Sequence, residues 1–317
     1  MVTWLTSQPT RITTLNAAPA PPTAHAELSN LRVESVAAGG GPCLASDTAY
    51  TDEFEPLRWS FMTTFGSHSS QWSAEWQQSW DLLEQGLVPD REWLISGLVD
   101  VVETVVGSQP VVIDLGCGTG TVALRLFDRP AASVIALDVD PVLLTIASAT
   151  FSQNDRVQVV AADLRHPDWA GALPQSTVDA VITATALHWL PDASVRRLYG
   201  DLAGLIRTGG VFAHAEFMAM VDLPTIGKAM AELRHGQATA QYGNRGPSWD
   251  EWWDLAAADP ELRNAFASRS EVFEATYTLE EFSPPADWHT RALVEAGFKE
   301  AGVVFRAGPS AVVAAVR

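Results

Sequence analysis

The residues best placed to do chemistry lie in the run Val111-Val112-Ile113-Asp114-Leu115-Gly116-Cys117-Gly118-Thr119-Gly120. An apolar, β-rich stretch passes directly into a Gly-x-Gly-x-Gly turn, and a helix-like stretch follows. Gly116 and Gly118 allow tight backbone conformations and close approach to a ligand, and Gly120 lets the next helix start close against the strand. A dinucleotide fingerprint needs Gly-x-Gly-x-x-Gly, and Thr121 occupies that last place. The spacing therefore disfavours a nicotinamide oxidoreductase. Asp114 is a carboxylate inside an apolar strand. Its burial is costly unless it accepts hydrogen bonds, so it is expected to accept from loop amides or a ligand amine, or to brace the loop. His188 offers an imidazole that titrates near neutral pH just past a predicted strand, which makes it the candidate general base. The alternative is that it orients its loop or contacts the bound ligand. His214 and Glu216 fall on one face of another predicted strand by alternation. They could line a substrate cleft, with packing inside the sheet as the other reading of His214.

These residues need elements to hold them. The predicted strands are Val111–Leu115, Ser133–Leu137, Val157–Ala161, Asp179–Thr183 and Val211–Ala215, with helix-like stretches Val122–Phe127, Pro141–Phe151 and Ala193–Ile206 between them. Such alternation implies right-handed βαβ units and a mostly parallel sheet. A helix near Asp287–Ala296 and strands Gly302–Arg306 and Ala311–Val316 follow. So short a connection makes the last two strands antiparallel. The expected fold is α/β: a Rossmann-like, doubly wound, mostly parallel seven-stranded sheet with an antiparallel C-terminal hairpin and a helical cap. Trp72, Trp76 and Trp80 repeat every four residues on one helix face, as a core stripe or as an aromatic wall over a cationic or flat ligand. Asp90 is the expected N-cap of a second helix through Leu94, Leu98 and Val101.

Ala, Pro, Gly, Ser and Thr fill 26 of the first 46 positions, which offers little apolar surface against the entropy of ordering. The reading divides the chain into a flexible arm (1–46), an N-terminal helical cap (47–106), a core (107–218), a substrate cap insertion (219–286) and a C-terminal helix with strands that complete the core (287–317). Lys and Arg number 20 against 38 Asp and Glu, a formal charge of −18. That is a poor basis for binding nucleic acid or an anionic membrane. Two cysteines, Cys43 and Cys117, make neither a disulfide framework nor a Cys-rich zinc site, and no His-x-x-x-His or Cys-x-x-Cys spacing suggests another metal. With no signal peptide and no apolar run of membrane-spanning length, a cytoplasmic protein is expected.

Asp114 to Gly120 resembles the first motif of class I S-adenosylmethionine-dependent methyltransferases, and further segments resemble that family in order. Val134-Ile135-Ala136-Leu137-Asp138 is a strand ending in an acid suited to a ribose diol. Val159-Val160-Ala161-Ala162-Asp163-Leu164 resembles the segment whose acid meets the adenine amino group while a neighbouring amide meets a ring nitrogen. Asp179 to Trp189 resembles the fourth strand and its loop. Its Ala-Leu-His-Trp wording is similar to the small-molecule branch that includes trans-aconitate methyltransferase-like enzymes. In Leu205 to Phe212, Thr208 stands where the family usually has proline before Gly209-Gly210.

The resemblance implies S-adenosylmethionine as cofactor, held by Asp114, Gly116, Cys117, Gly118, Thr119, Gly120, Asp138, Val139, Asp163, Leu164, Thr183, Ala184 and Thr185. It implies methyl transfer to an O, N or C atom of a small molecule of the secondary-metabolite kind, with His188 as catalytic residue. His214, Glu216, Tyr242 and Trp252 are the candidate substrate residues, and His235 and His289 belong to the same cap reading. Two alternatives stay open: a non-methylating reaction on the same cofactor, such as cyclisation or isomerisation, and a non-catalytic scaffold with a retained pocket. Thr183-Ala184-Thr185-Ala186 stands where an Asn-Pro-Pro-Tyr-like element would mark nucleic-acid or protein methylation. A homodimer is a candidate assembly.

Overall fold

The computed structural model describes residues 68–127, 133–243, 245–274 and 282–317. The chain divides into Met1–Thr63 and Thr64–Arg317, and the description concerns the second unit. The expected arm at 1–46, and the start of the expected N-terminal cap, lie outside the described residues.

Seven strands form one sheet: β1 (Val111–Leu115), β2 (Ser133–Asp138), β3 (Val157–Ala161), β4 (Val178–Ala184), β5 (Ile206–Phe217), β6 (Glu300–Ala307) and β7 (Ser310–Val316), in the order β3-β2-β1-β4-β5-β7-β6. The first five pair in parallel, and β7 pairs antiparallel with both β5 and β6. The order reverses beside β1, the switch point where open α/β sheets bind ligands.

Helices cover both faces. Leu94, Leu98 and Val102 of α2 (Arg91–Val106) and Val122 and Leu126 of α3 (Thr121–Phe127) pack on Val112, Val134, Ile182 and Ala213. Leu198, Tyr199 and Leu202 of α5 (Asp192–Leu205) and Leu293 of α9 (Ala286–Glu295) pack on Ile113, Val181 and Phe212. A third cluster lies away from the sheet: Trp80 and Leu83 of α1 (Ser70–Leu87), Val142, Leu143 and Ile146 of α4 (Pro141–Thr150), and Trp252 and Ala256 of α7 (Trp249–Ala258).

The local signals explain most boundaries. Ser69 caps α1 by accepting from the Trp72 amide, and Asp140 caps α4 ahead of Pro141 by accepting from Val142 and Leu143. Ser248 and Glu251 form a reciprocal capping box on α7. Asp90 departs from expectation. It precedes α2 in a left-handed conformation with no side-chain cap, and its carboxylate instead accepts from Arg234 Nη1 at 3.0 Å on α6 (Pro224–Tyr242). The segment from Ala219, read as a cap insertion, contains α6, α7 and α8 (Arg263–Glu274). Gly209 lies inside β5, which starts at Ile206, with φ +77. Its amide donates to the Arg317 carbonyl.

Candidate functional site

The glycine loop leaves β1 and turns back toward β2, where the Gly116 and Cys117 amides both donate to the Leu137 carbonyl. Gly116, Gly118 and Gly120 all have positive φ, at +68, +58 and +95, a region that costs other L-residues energy. Two of them also have no room for a side chain. A Cβ at Gly116 would run into Ala186 Cβ, and one at Gly120 into the Phe151 ring. Gly118 is more open, and the nearest atom to a Cβ there is Trp80 Nε1 at 3.5 Å.

Two carboxylates flank this loop. Asp138, at the end of β2, accepts from the Gly118 amide at 2.8 Å through Oδ2, and from the Val139 and Asp140 amides at 2.7 and 2.9 Å through Oδ1. Oδ2 keeps a lone pair for a hydroxyl donor. Burial pushes the Asp138 carboxyl up to about 6 against the pull of those amides. Asp114 is 1% exposed. Its Oδ2 accepts from the Ala123 amide at 3.2 Å, while Oδ1 is buried without a partner among the described residues. Burial pushes Asp114 up to about 7. An orphaned carboxylate oxygen in a loop this tight suits a ligand ammonium group. Thr119 Oγ1 is likewise buried without a partner among the described residues. Cys117 is buried, and burial pushes its thiol up, as the Asp138 and Asp114 charges also do. That is the reverse of a nucleophile's setting.

The remaining residues read as cofactor ligands have varied surroundings. Both carboxylate oxygens of Asp163 are bonded by Arg165, with Nε at 2.7 and 2.9 Å and Nη2 at 2.5 Å, and the Arg165 amide adds a further bond. A ligand amine at Asp163 would have to displace that guanidinium. Leu164 lends its carbonyl to Arg197 Nη2. Thr183 is fully buried and donates to the Leu115 carbonyl at 2.8 Å, locking β4 to β1. Ala184 ends β4. Thr185 follows with φ +50 and donates its amide to Ala215. This strained residue at a strand end shapes the loop that carries His188.

His188 sits on a short 3-10 turn (Leu187–Trp189). Its Nδ1 is 2.9 Å from Oε2 of Glu216 on β5. Glu216 is 5% exposed, and the His188 and His214 imidazoles hold its carboxyl well below the usual range despite burial. Ionised Glu216 can only accept, so His188 donates from Nδ1. His214 Nε2 lies 3.8 Å from the same oxygen, and its ring meets His289 edge-on at 4.8 Å between centroids. His289 Nδ1 is 2.7 Å from the Tyr199 hydroxyl, and burial pushes the His289 imidazole down to about 3. His289, expected in the cap, is thus a 2% exposed core residue on α9. Its burial between the sheet and Tyr199 takes it away from any cap surface.

The first helix adds polar groups that spacing alone does not single out. Asp81 accepts from Arg91 Nη1 at 3.0 Å, from Thr121 Oγ1 at 2.7 Å and from Gln77 Nε2 at 2.9 Å. This network ties α1 to α2 and to the first residue of α3. Burial raises the Glu84 carboxyl, and the Asp81 and Glu216 charges add to this while Arg91 and His188 oppose it. Gln77, Trp80, Asp81 and Glu84 follow helical spacing, and a polar stripe on so aromatic a helix was the available signal.

Trp252, read as a substrate contact, is fully buried. It packs edge-on against Trp76, Trp80 and Trp253, and its indole donates to Ser79 Oγ, so it builds the core under α1. Tyr242 closes α6, half-buried, with Arg245 over its ring. His235 is half-buried on α6. No group of three or more His, Cys, Asp or Glu is placed to hold a metal among the described residues, and none of the described helices is long and apolar enough to cross a membrane.

Residues 112–210 match the model of a methyltransferase domain. The chain is 26% identical over 155 residues to the malonyl-[acyl-carrier protein] O-methyltransferase of a Paenibacillus species, covering 47% of this chain and 54% of that protein. It is 37% identical over 103 residues to the trans-aconitate 2-methyltransferase of an Azoarcus species, covering 32% of this chain and 37% of that protein. The chain therefore spans about half, or less, of the length of these curated relatives. A structure of human N-acetylserotonin methyltransferase in complex with SAM aligns with a TM-score of 0.46 at 16% identity, over 78% of this chain and 58% of that one.

Proposed function

We propose that this chain, whose residues 112–210 match the model of a methyltransferase domain, transfers a methyl group from S-adenosylmethionine to a hydroxyl of a small molecule, with His188 as general base. The observation that carries the reading is the His188–Glu216 pair at 2.9 Å, at the strand ends beside a glycine loop with an unpartnered Asp114 oxygen.

S-adenosylmethionine supplies, when bound, an electrophilic methyl group on a sulfonium. Asp114 offers its free oxygen to the ligand's ammonium, and Asp138 offers Oδ2 to a ribose hydroxyl. Val139 and Leu164 border the nucleoside side through their backbone. The loop at Thr183, Ala184 and Thr185 fixes where His188 stands. His188 takes the acceptor's proton on Nε2, and ionised Glu216 stabilises the imidazolium that results. A hydroxyl needs this help because its proton must leave as the new bond forms. A free carboxylate acceptor needs none, and it would meet Glu216 as a like charge. The acidic chain and the enclosed His188 both favour a small molecule over nucleic acid.

The test is mass spectrometry with methyl-deuterated cofactor against a panel of hydroxyl and carboxylate compounds. A labelled ether together with S-adenosylhomocysteine is expected. His188→Ala should then lower kcat about a hundredfold or more and leave cofactor affinity unchanged. A labelled ester with activity retained in His188→Ala would contradict the base assignment. An isomerised product without S-adenosylhomocysteine would favour the non-methylating alternative.

A further inference from the structure

We propose that Trp80 is a ligand-binding residue: its indole N–H receives the α-carboxylate of the cofactor's amino-acid end, while Asp114 receives the ammonium of the same group. The inference rests on the S-adenosylmethionine reading and extends it to a helix outside the methyltransferase domain.

Trp80 belongs to a cluster in which the other indoles mostly have partners. Trp72 and Trp76 both donate to Asp259 Oδ2, at 3.0 and 2.8 Å, and Trp252 donates to Ser79. Trp80 is 8% exposed; its Nε1 donates to no protein group among the described residues and stays open toward the loop, whereas Trp253 Nε1 is fully buried without a partner among them. The Trp80 nitrogen is aimed at the glycine loop, 3.5 Å from where a Cβ of Gly118 would stand. Trp249, Trp252 and Trp253 contact its ring, so the side chain has little freedom to seek another partner. A donor held in place by its neighbours gains most from a charged acceptor.

The loop opposite supplies the complementary half. Asp114 Oδ1 is a buried acceptor without a protein partner among the described residues. A zwitterionic amino-acid end carries one anion and one cation, and an unpaired N–H and an unpaired carboxylate oxygen are what such a group requires. The Asp81 network fixes α1 to Thr121, one residue past the loop, and so holds Trp80 in register with it.

Calorimetry on the full chain tests this with two probes, S-adenosylhomocysteine and 5′-methylthioadenosine, which lacks the amino-acid end. Trp80→Phe keeps an aromatic side chain and removes the N–H. S-adenosylhomocysteine affinity should fall about tenfold to a hundredfold, with methylthioadenosine affinity unchanged. Equal loss for both ligands, or loss for neither, overturns the proposal. A measurement without any variant backs this up: in ¹⁵N-tryptophan-labelled wild type, the Trp80 indole proton should move downfield with S-adenosylhomocysteine and stay in place with methylthioadenosine. An unmoved resonance overturns the proposal even if Trp80→Phe fails to fold. If wild type binds neither probe, the cofactor reading fails and this inference falls with it. If wild type binds and only the Trp80 results fail, the cofactor reading stands.

Discussion

Nδ1 of His188 lies 2.9 Å from Oε2 of Glu216, a residue 28 positions later on the neighbouring strand. Because β4 and β5 run parallel, their C-terminal ends bring the loop after one strand against the last side chains of the next. Strand alternation makes Glu216 a candidate substrate residue. It is 5% exposed, and its position makes it a partner of His188. Glu216→Gln should therefore lower kcat with little change in KM, and the acid limb of the kcat profile should move to lower pH, since the carboxylate no longer stabilises the imidazolium. A change in KM alone would return Glu216 to the substrate.

Asp114 gives a pH signature. Burial raises its pKa from 3.8 to about 7 in the folded chain, so the folded state holds a proton that the unfolded state has released. The associated stability is present below about pH 4 and is lost as pH rises through about 7. His289 acts in the opposite sense. Its pKa falls from 6.5 to about 3, so its contribution is present above 6.5 and is lost as pH falls toward 3. Wild type minus Asp114→Asn isolates the first effect, and that difference in melting temperature should shrink from pH 5 to pH 8. At pH near 6.5, S-adenosylhomocysteine binding should also release protons, as its ammonium favours ionised Asp114. Calorimetry in buffers of different ionisation heat reads this directly, and proton uptake would contradict the placement.

The glycines separate stability from binding. Gly116→Ala puts a methyl into Ala186 at positive φ, and about 2–4 kcal/mol of destabilisation is expected from overpacking and backbone strain together. Gly118→Ala meets only strain, about 1–2 kcal/mol, because its nearest neighbour would be at 3.5 Å. It should fold and still bind cofactor poorly. Denaturant melts and ligand titration distinguish the two, and equal stability losses would contradict the packing argument.

Asp163 and Asp138 should behave differently. Arg165 already bonds both oxygens of Asp163, whereas Asp138 holds the Gly118 amide and keeps a lone pair facing the site. Asp138→Ala is expected to cost tenfold or more in S-adenosylhomocysteine affinity, and Asp163→Ala much less. Arg165→Gln should tighten binding if Asp163 takes the adenine amine. Equal losses at both acids would contradict this ranking.

Strand and loop chemistry were legible in the sequence because they are local. The alternation of Val, Ile and Ala with helical stretches placed β1 and β3 at their observed limits. The Gly-x-Gly-x-Gly spacing located a turn that needs positive φ and close packing. Partners across the fold left no such mark. Nothing near His289 says that Tyr199, 90 positions away, will bury it. Trp252 reads like a cap aromatic until α1 supplies Trp76 and Trp80 to pack against it. Asp90 has the composition of an N-cap, but Arg234 takes its carboxylate. Pairing across elements decides these cases, and spacing along the chain does not encode it.

The central claim is that the glycine loop binds S-adenosylmethionine, and thermal unfolding of the full chain with this cofactor, S-adenosylhomocysteine or NAD tests it most directly. At about a hundredfold excess over Kd, a ligand of the native state adds about 2.7 kcal/mol, which is a rise of several degrees for a chain of this size. The account predicts that rise with both adenosyl ligands, its absence with NAD, and its loss in Asp138→Ala. No rise with either adenosyl ligand, or an equal rise with NAD, would contradict it.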